Sequence, residues 1–361
     1  NGDTVTVNVP PWRCDVDGEA DLVEEIARIV GYDKIPIVSL KKEHAVTRPA
    51  LTAGQLHRVI ARRTLAGRGL QECVTWSFMP QRFAEQFGGS EPLLGLLNPI
   101  SADLNVMRPS ILPNLISAAA RNLDRGATDI GFFEVGPQYK NDTPEGQSVV
   151  ATGVRLGQAV PRNWSGPARA VDPFDAKADA LAVLAEIGAP AEKLQVFAGA
   201  ASWYHPGRSG ALRLGPKNIL AAFGEVHPRT LALLDCAGPC LAFEVYLDAM
   251  PTPKRRSTNR GALDVHALQP VDRDFAFVVA DAVSAADLVS AAISANKKLV
   301  TAASIFDVFS GGDLEEGTKS IAIRVSLQPT DRTLTDDDID IVATQIIAAV
   351  NKSTGATLRG A

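Results

Sequence analysis

Leu299-Val300-Thr301-Ala302-Ala303-Ser304-Ile305-Phe306-Asp307-Val308-Phe309, then Gly311-Gly312, then Lys319-Ser320-Ile321-Ala322-Ile323-Arg324-Val325-Ser326-Leu327-Gln328, read as two strands joined through a glycine turn. Outward from this pair, each side carries a helix and then a strand. Upstream, Ala285–Ala295 reads as a helix with Ser284 as N-cap, preceded by strand Asp274–Ala280. Downstream, Asp336–Val350 reads as a helix: Thr335 and Asp338 form a capping box, with Asp where Glu is commoner. Three aspartates fill its first turn, at the positive end of the helix dipole. Gly355 stops it, and Ala356–Arg359 supplies a short last strand. The order βαββαβ is that of the ferredoxin-like α+β fold, an antiparallel sheet with both helices on one face. No cysteine follows Cys240, so this domain has no iron–sulfur centre, and the fold's name says nothing of electron transfer.

At the other end, Pro10-Pro11-Trp12-Arg13-Cys14-Asp15 leads into a helical stretch, Asp21–Val30, that exits through Gly31-Tyr32-Asp33-Lys34-Ile35-Pro36. Leu22, Ile26, Ile29 and Val30 fall on one arc; Asp21, Glu24, Glu25 and Arg28 share the opposite one. Gly31 suits a C-cap, and Pro36 prevents continuation. The residues allow two readings. Glu24 pairs with Arg28 on a solvated acidic face, or Asp15, Asp21, Glu24 and Glu25 converge on one hard cation such as Mg2+. Val5, Val7 and Val9 read as a strand with which the chain opens, without an initiating Met, and the expectation is of a fragment.

The chain's 361 residues suffice for two or three domains, each with its own core. No apolar run approaches the roughly 18–20 residues that span a bilayer, and no signal peptide is visible. Net charge is −5, which gives no hint of a general nucleic-acid binder. Cys14, Cys73, Cys236 and Cys240 are scattered, as expected of reduced thiols in a cytosolic protein. Cys236 and Cys240, with His227 upstream, lack the second pair that a zinc site needs. Lys254-Arg255-Arg256-Ser257-Thr258-Asn259-Arg260 is the one dense basic run, a solvated linker or a contact to an RNA backbone. Between the ends, residues 45–250 form a mixed α/β block opening with a helix around Gln55–Leu65 and a strand Leu70–Phe78.

The acidic segment resembles the end of the B5 domain in the bacterial phenylalanyl-tRNA synthetase β-subunit family. The magnesium ligands of that family are an Asp, a second Asp six residues on, and two Glu three and four residues later. The resemblance implies Mg2+ at Asp15, Asp21, Glu24 and Glu25. The middle block carries further phrases similar to that family: Gly69-Leu70-Gln71-Glu72-Cys73-Val74-Thr75-Trp76-Ser77-Phe78, Asn98-Pro99-Ile100-Ser101, Met107-Arg108-Pro109-Ser110-Ile111-Leu112-Pro113 and Phe132-Phe133-Glu134-Val135-Gly136. Asp175-Ala176-Lys177-Ala178-Asp179, His205-Pro206-Gly207-Arg208-Ser209 and Gly224-Glu225-Val226-His227-Pro228 follow. The resemblance implies a module folded like a class II aminoacyl-tRNA synthetase core, built on an antiparallel sheet, that does not aminoacylate. Implied boundaries are 1–40 for the B5 remnant, 41–250 for this module, 251–268 for a linker and 269–361 for the last domain.

The residues agree that the module is no catalyst. An active core of that class holds the ATP α-phosphate with an Arg two residues before the Glu of the motif 2 strand; here Phe132 precedes Glu134. Ala242-Phe243-Glu244-Val245-Tyr246-Leu247 contains neither Gly-x-Gly nor Arg. Phosphate without cations is bound weakly. A general base in His205-Pro206-Gly207-Arg208 is the enzymatic alternative, but no nucleophile motif or HExxH helix accompanies it. Asp175, Lys177 and Asp179 read as surface charge at a helix start.

In the last domain, Pro270-Val271-Asp272-Arg273-Asp274-Phe275-Ala276-Phe277-Val278, Phe306-Asp307-Val308-Phe309-Ser310-Gly311, Lys319-Ser320-Ile321-Ala322 and Arg332-Thr333-Leu334-Thr335 are similar to the family's anticodon-binding domain. That implies contact with tRNA(Phe), for which Arg273, Phe275, Phe309, Lys319, Arg324 and Arg332 are the candidates. Phe275 and Phe277 share a sheet face, and filling the core is the simpler role for both. From His266 onward eight Lys/Arg stand against thirteen Asp/Glu, so binding needs the basic residues gathered on one face. The resemblance implies a non-catalytic β-subunit portion in an (αβ)2 cytoplasmic ligase, with ATP used by the α subunit and the editing site outside this chain. The rival reading is a standalone RNA-binding scaffold.

Overall fold

The computed structural model describes residues 2–38, 49–89, 94–190, 193–251 and 265–359. The Lys254–Arg260 run lies outside them. The chain divides into two compact units, Asn1–Pro253 and Lys254–Ala361.

The first unit begins with helix α1 (Glu19–Val30), which follows the expected arc and starts two residues earlier. Asp21 closes its N-terminus, accepting hydrogen bonds from the backbone N–H of Asp17 (2.9 Å) and Gly18 (2.8 Å). Gly31 ends it with φ +103°. Val5, Val7 and Val9 form no strand: all three are exposed, and among the described residues no other segment pairs with them.

Then follow α2 (Ala53–Gly67), β1 (Gln71–Glu72), β2 (Phe78–Met79), α3 (Gln81–Gln86), β3 (Val106–Met107), α4 (Leu112–Leu123), β4 (Ile130–Tyr139) and β5 (Gln147–Leu156). The unit ends with β6 (Gln158–Val160), β7 (Arg169–Ala170), α5 (Pro173–Glu186), β8 (Leu194–Ala198), β9 (Tyr204–Leu214), β10 (Ile219–Val226), α6 (Pro228–Leu233) and β11 (Cys240–Tyr246). Seven strands make one sheet in the order β1-β4-β5-β11-β10-β9-β8, antiparallel except for β1 beside β4. The strand expected over Leu70–Phe78 is two short ones. At Thr75 the N–H leaves the ladder and donates to the Glu134 carboxylate (3.2 Å), which turns the chain away from the sheet.

Period-two alternation sorts the residues of β11 between two cores. Leu241, Phe243 and Val245 join Phe133 and Val135 under α2 and α5, whereas Cys240 and Ala242 join Val150 and Val154 under α4. Between α5 and the sheet sits a buried charge that the sequence reading placed on the surface. Asp179 is 0% exposed and receives Arg68 Nε and Arg155 Nε, each at 2.6 Å. It faces inward because it stands three residues after Ala176 and four before Val183 on the helix side that packs the sheet.

The second unit has the expected order: β12 (Val271–Ala280), α7 (Ala285–Ala295), β13 (Val300–Ser310), β14 (Thr318–Leu327), α8 (Asp336–Thr354) and β15 (Thr357–Leu358). Its sheet runs β13-β14-β12-β15, antiparallel throughout. Ser284 caps α7, Thr335 with Asp338 forms the capping box of α8, and Gly355 ends it in the left-handed region. Phe275, Phe277, Ile321, Ile323 and Val325 pack with Leu288, Val342 and Ile346 on the helix side.

Removing a buried carboxylate strands the cations it pairs. Asp179→Ala is therefore expected to lower the unfolding free energy of the first unit by about 3 kcal/mol, the low end for a broken buried pair because both arginines keep some contact with water. Urea unfolding measures it, and a loss below about 0.5 kcal/mol would contradict the assignment.

Candidate functional site

A polar row crosses the α4 side of the large sheet. Glu134 in β4, Thr152 in β5 and Glu244 in β11 are neighbours in register. All three are buried. The segment Arg108-Pro109-Ser110 runs over the row, and its first and third residues reach the two carboxylates. Arg108, 1% exposed, meets Glu134 at 2.8 Å, and its guanidinium also donates to Pro137 O (2.9 Å) and Thr75 Oγ1 (3.0 Å). Ser110 donates to Glu244 Oε1 at 2.8 Å; Trp203 Nε1 (3.3 Å) and Tyr204 OH (3.2 Å) donate to Oε2. Gly136 makes room for this, since a Cβ there would meet Arg108 Nη2 at 2.8 Å.

Burial dominates the electrostatics of Glu244. Withdrawal from water pushes its carboxyl above the ordinary 4.5, against the lowering effect of its three hydrogen-bond donors. The Tyr204 hydroxyl is likewise pushed well up, chiefly by burial and then by the neighbouring Glu244. Arg108 is thus committed to Glu134, and Phe132, two residues before that Glu134, brings no cation to the row. A second arginine, Arg213 in β9, falls on the same side of the sheet by strand parity and stands over the Phe197 ring at 4.2 Å. Sequence reading quoted Arg108 and Glu244 within motifs but gave them no role. The signal available was the Arg-x-Ser spacing, which sends alternate side chains of an extended segment to one side.

The histidine motif is structural in its contacts. His205 Nδ1 accepts from Gly207 N (3.1 Å) and His227 Nδ1 from Arg229 N (3.1 Å), while Arg208 pairs with Glu225. Cys236 and Cys240 are buried thiols.

At α1 the four acidic candidates do not converge. Arg13 lies between Asp15 (2.7 Å) and Glu25 (2.6 Å), and Arg28 takes the other Glu25 oxygen at 2.6 Å, so the expected Glu24–Arg28 pair is instead Glu25–Arg28. The two guanidiniums hold the Glu25 carboxyl down to about 2, and Arg13 holds that of Asp15 below its ordinary value. Asp21 is lowered by the backbone N–H groups it caps. Among the described residues no three acidic, His or Cys side chains form a metal-binding group. Four carboxylates are the hard donors that Mg2+ takes, but two of them are engaged by Arg13.

In the second unit the six RNA candidates scatter. Phe275 is 8% exposed and stacks on Phe277 in the core, so it offers no face to a base, because its strand parity points it at the helices. Arg273 and Lys319 pair across the sheet with the core residues Val325 and Val279, and so share that parity. Lys319 donates to Asp281 O at 2.7 Å. Arg332 pairs with Asp338 at the start of α8. Arg324 and Phe309 do lie on the open face, opposite the helices. Two residues missed in the sequence join them: Arg324 stands over the Phe306 ring (5.5 Å) and Arg359 over Phe309 (5.6 Å). Asp274 shares the face and pairs with Arg324 at 2.8 Å.

Three regions match known families in order: residues 1–32 the "tRNA synthetase B5 domain", 37–247 the "Phenylalanyl tRNA synthetase beta chain CLM domain" and 267–359 the "Ferredoxin-fold anticodon binding domain". A phenylalanine–tRNA ligase beta subunit from Paramagnetospirillum magneticum is 52% identical over 361 residues, which is 100% of this chain and 45% of that one. The beta subunit from Rhodopseudomonas palustris is 51% identical over 362 residues, 99% of this chain and 45% of its own. The chain therefore spans under half the length of these relatives. A pyrrolysyl-tRNA synthetase from Desulfitobacterium hafniense superimposes with a TM-score of 0.42 at 16% identity, over 63% of this chain and 74% of that one, a likeness too weak to bear an argument. Among the described residues no helix is long and apolar enough to cross a membrane.

Because the folded state holds the Glu244 proton more tightly than the unfolded chain, its stabilisation is complete below the ordinary value of 4.5 and is lost as pH rises through the raised one. Glu244→Gln is expected to remove that loss, up to about 1.4 kcal/mol per pH unit. Urea midpoints of parent and variant across this range measure the difference; identical pH slopes would count against a protonated Glu244.

Proposed function

The chain belongs to the phenylalanyl-tRNA synthetase β-chain family, and from that premise we propose that it is the supporting, non-catalytic β-subunit portion of a cytoplasmic phenylalanine–tRNA ligase. In this reading it holds the α subunit, which uses ATP to charge tRNA(Phe), and contacts that tRNA near the anticodon. Two αβ units form the assembly. Residues 1–40 close a B5 domain, 41–250 form the synthetase-like module, 251–268 link, and 269–361 bind RNA. The observation that carries the reading is the succession of three matched regions together with a strand that has Phe132 two residues before Glu134, where an active core has Arg, the nearby Arg108 being paired with that Glu134. A standalone RNA-binding scaffold accounts for neither.

Co-expression tests it. The chain is expected to co-purify with the α subunit and, in full-length β, to be needed for aminoacylation. A chain that stays monodisperse beside α would sink the subunit reading. tRNA(Phe) binding is expected to be weak and to fall as salt rises. Arg324, Phe309, Phe306 and Arg359 supply it, with Arg273, Lys319 and Arg332 as peripheral phosphate contacts. Phe309→Ala is expected to reduce affinity about fivefold or more, the loss of one stacked base, and a gel shift at two salt concentrations reads it.

Asp15, Asp21, Glu24 and Glu25 are the Mg2+ ligands in this reading, and Arg13 competes for two of them. Calorimetric titration is expected to show Mg2+ uptake strengthened in Arg13→Ala and abolished in Asp21→Ala and Glu25→Ala. Equal heats in all three would return the cluster to a solvated acidic face.

A further inference from the structure

Two histidines that the proposed function leaves unused share one local build. His205 and His227 each precede a proline, and each turns its Nδ1 back to accept the backbone N–H two residues on, Gly207 N and Arg229 N, both at 3.1 Å. Tyr204, at the start of β9, pairs with Val226, at the end of β10, so the two turns lie side by side. The rings stack at 25° with their centres 6.3 Å apart. A ring nitrogen that accepts carries no hydrogen, so the hydrogen of each neutral imidazole is on Nε2. Among the described residues neither Nε2 has a partner within the chain, and neither is sealed from solvent. The pair therefore presents two N–H donors to water, from rings that the backbone holds in place.

The chemistry around them favours an anion. Glu225, the nearby carboxylate in β10, is held by Arg208 through both Nε (2.5 Å) and Nη2 (2.7 Å) and is thereby neutralised. Arg229 is exposed and has no ion pair among the described residues. A divalent metal would need the Nε2 lone pairs, which moves each hydrogen to Nδ1 and breaks both backbone bonds. A carboxylate offers two oxygens to these three donors, and a phosphate offers one to each. Each ring reaches about 2.9 Å through N–H···O, so one tetrahedral oxyanion can close the gap between the two. We propose that His205 and His227 form a binding site for a phosphate group, each donating Nε2–H to one oxygen, with Arg229 as the countercharge. The group is carried either by the free ion or by an RNA backbone.

Histidine side-chain 1H–15N spectra of the full chain at alkaline pH read the site without mutation. Both rings are expected to show the Nε2–H tautomer, and inorganic phosphate is expected to shift both with one dissociation constant. His205→Asn and His227→Asn keep an acceptor oxygen where Nδ1 stands and remove the Nε2–H donor. Each is expected to weaken phosphate binding about tenfold, the worth of one hydrogen bond to a charged group, with the unfolding midpoint unchanged. A short single-stranded RNA that displaces phosphate from the rings assigns the site to an RNA backbone; one that does not assigns it to the free ion. Rings in the Nδ1–H tautomer, or phosphate shifts in one ring or neither, would overturn the proposal. So would variants that bind within about twofold of the parent, or Zn2+ taken up in preference to phosphate.

Discussion

The guanidinium of Arg108 is withdrawn from water almost completely, and a charge in that position has to be matched from every side. Glu134 neutralises it, Pro137 O and Thr75 Oγ1 take its remaining donors, and Gly136 leaves the space. Much of the first unit follows from that. Glu134 also captures the N–H and hydroxyl of Thr75, which diverts the chain after β1 into the segment that reaches β2. Ser110, two residues on from Arg108, can then cap Glu244 and the start of α4 together: its Oγ donates to the one and accepts from Leu112 N of the other. One buried ion pair therefore fixes the path of two loops and the seating of α4, and closes the sheet face beneath.

Charge in the second unit obeys strand parity rather than composition. Its excess of acidic residues looked incompatible with RNA unless the cations were gathered. They are gathered only in part. Arg324 and Arg359 share the open face with two exposed rings, whereas Arg273 and Lys319 sit one position out of phase. Asp274, in register with Arg324, neutralises one of the two. For the RNA contact proposed, stacking on Phe306 and Phe309 would accordingly be the larger resource of this face, and phosphate neutralisation the smaller.

The parts legible in the sequence are those set by local chemistry. Ser284, Thr335 with Asp338, and Gly355 determine helix ends within a few residues of chain, and the structure places them there. Phe275 and Phe277 announced a shared face with the core as its simpler role, and both lie in that core. What was not legible depends on partners distant in sequence. Asp179 looks like any solvated helix acid until Arg68 and Arg155, brought by α2 and β5, close on it. Arg13 is separated by twelve positions from Glu25, and no helical spacing rule predicts that a loop arginine takes two of the four acids meant for a cation. Val5, Val7 and Val9 alternate as a strand does, but alternation without a neighbour makes no ladder.

A surface is prepared for a ligand where its polar groups are left wanting, since a group already satisfied gains little by exchanging partners. By that measure the two sides of α4 differ only in what surrounds their unmet atoms. Toward the sheet, Glu134 and Glu244 have their donors from within the chain, and although Thr152 Oγ1 between them has none, it is sealed from solvent. Beside the β2–β3 pair, Asn114 Oδ1 is likewise buried without a donor, next to a cleft rimmed by exposed Val74 and Trp76. Trp76 O joins them, accepting from Asn114 on the cleft side and, at 3.5 Å, from Arg108 on the buried side. The Trp76 carbonyl is therefore held from both sides, which ties the outer loop to the interior ion pair.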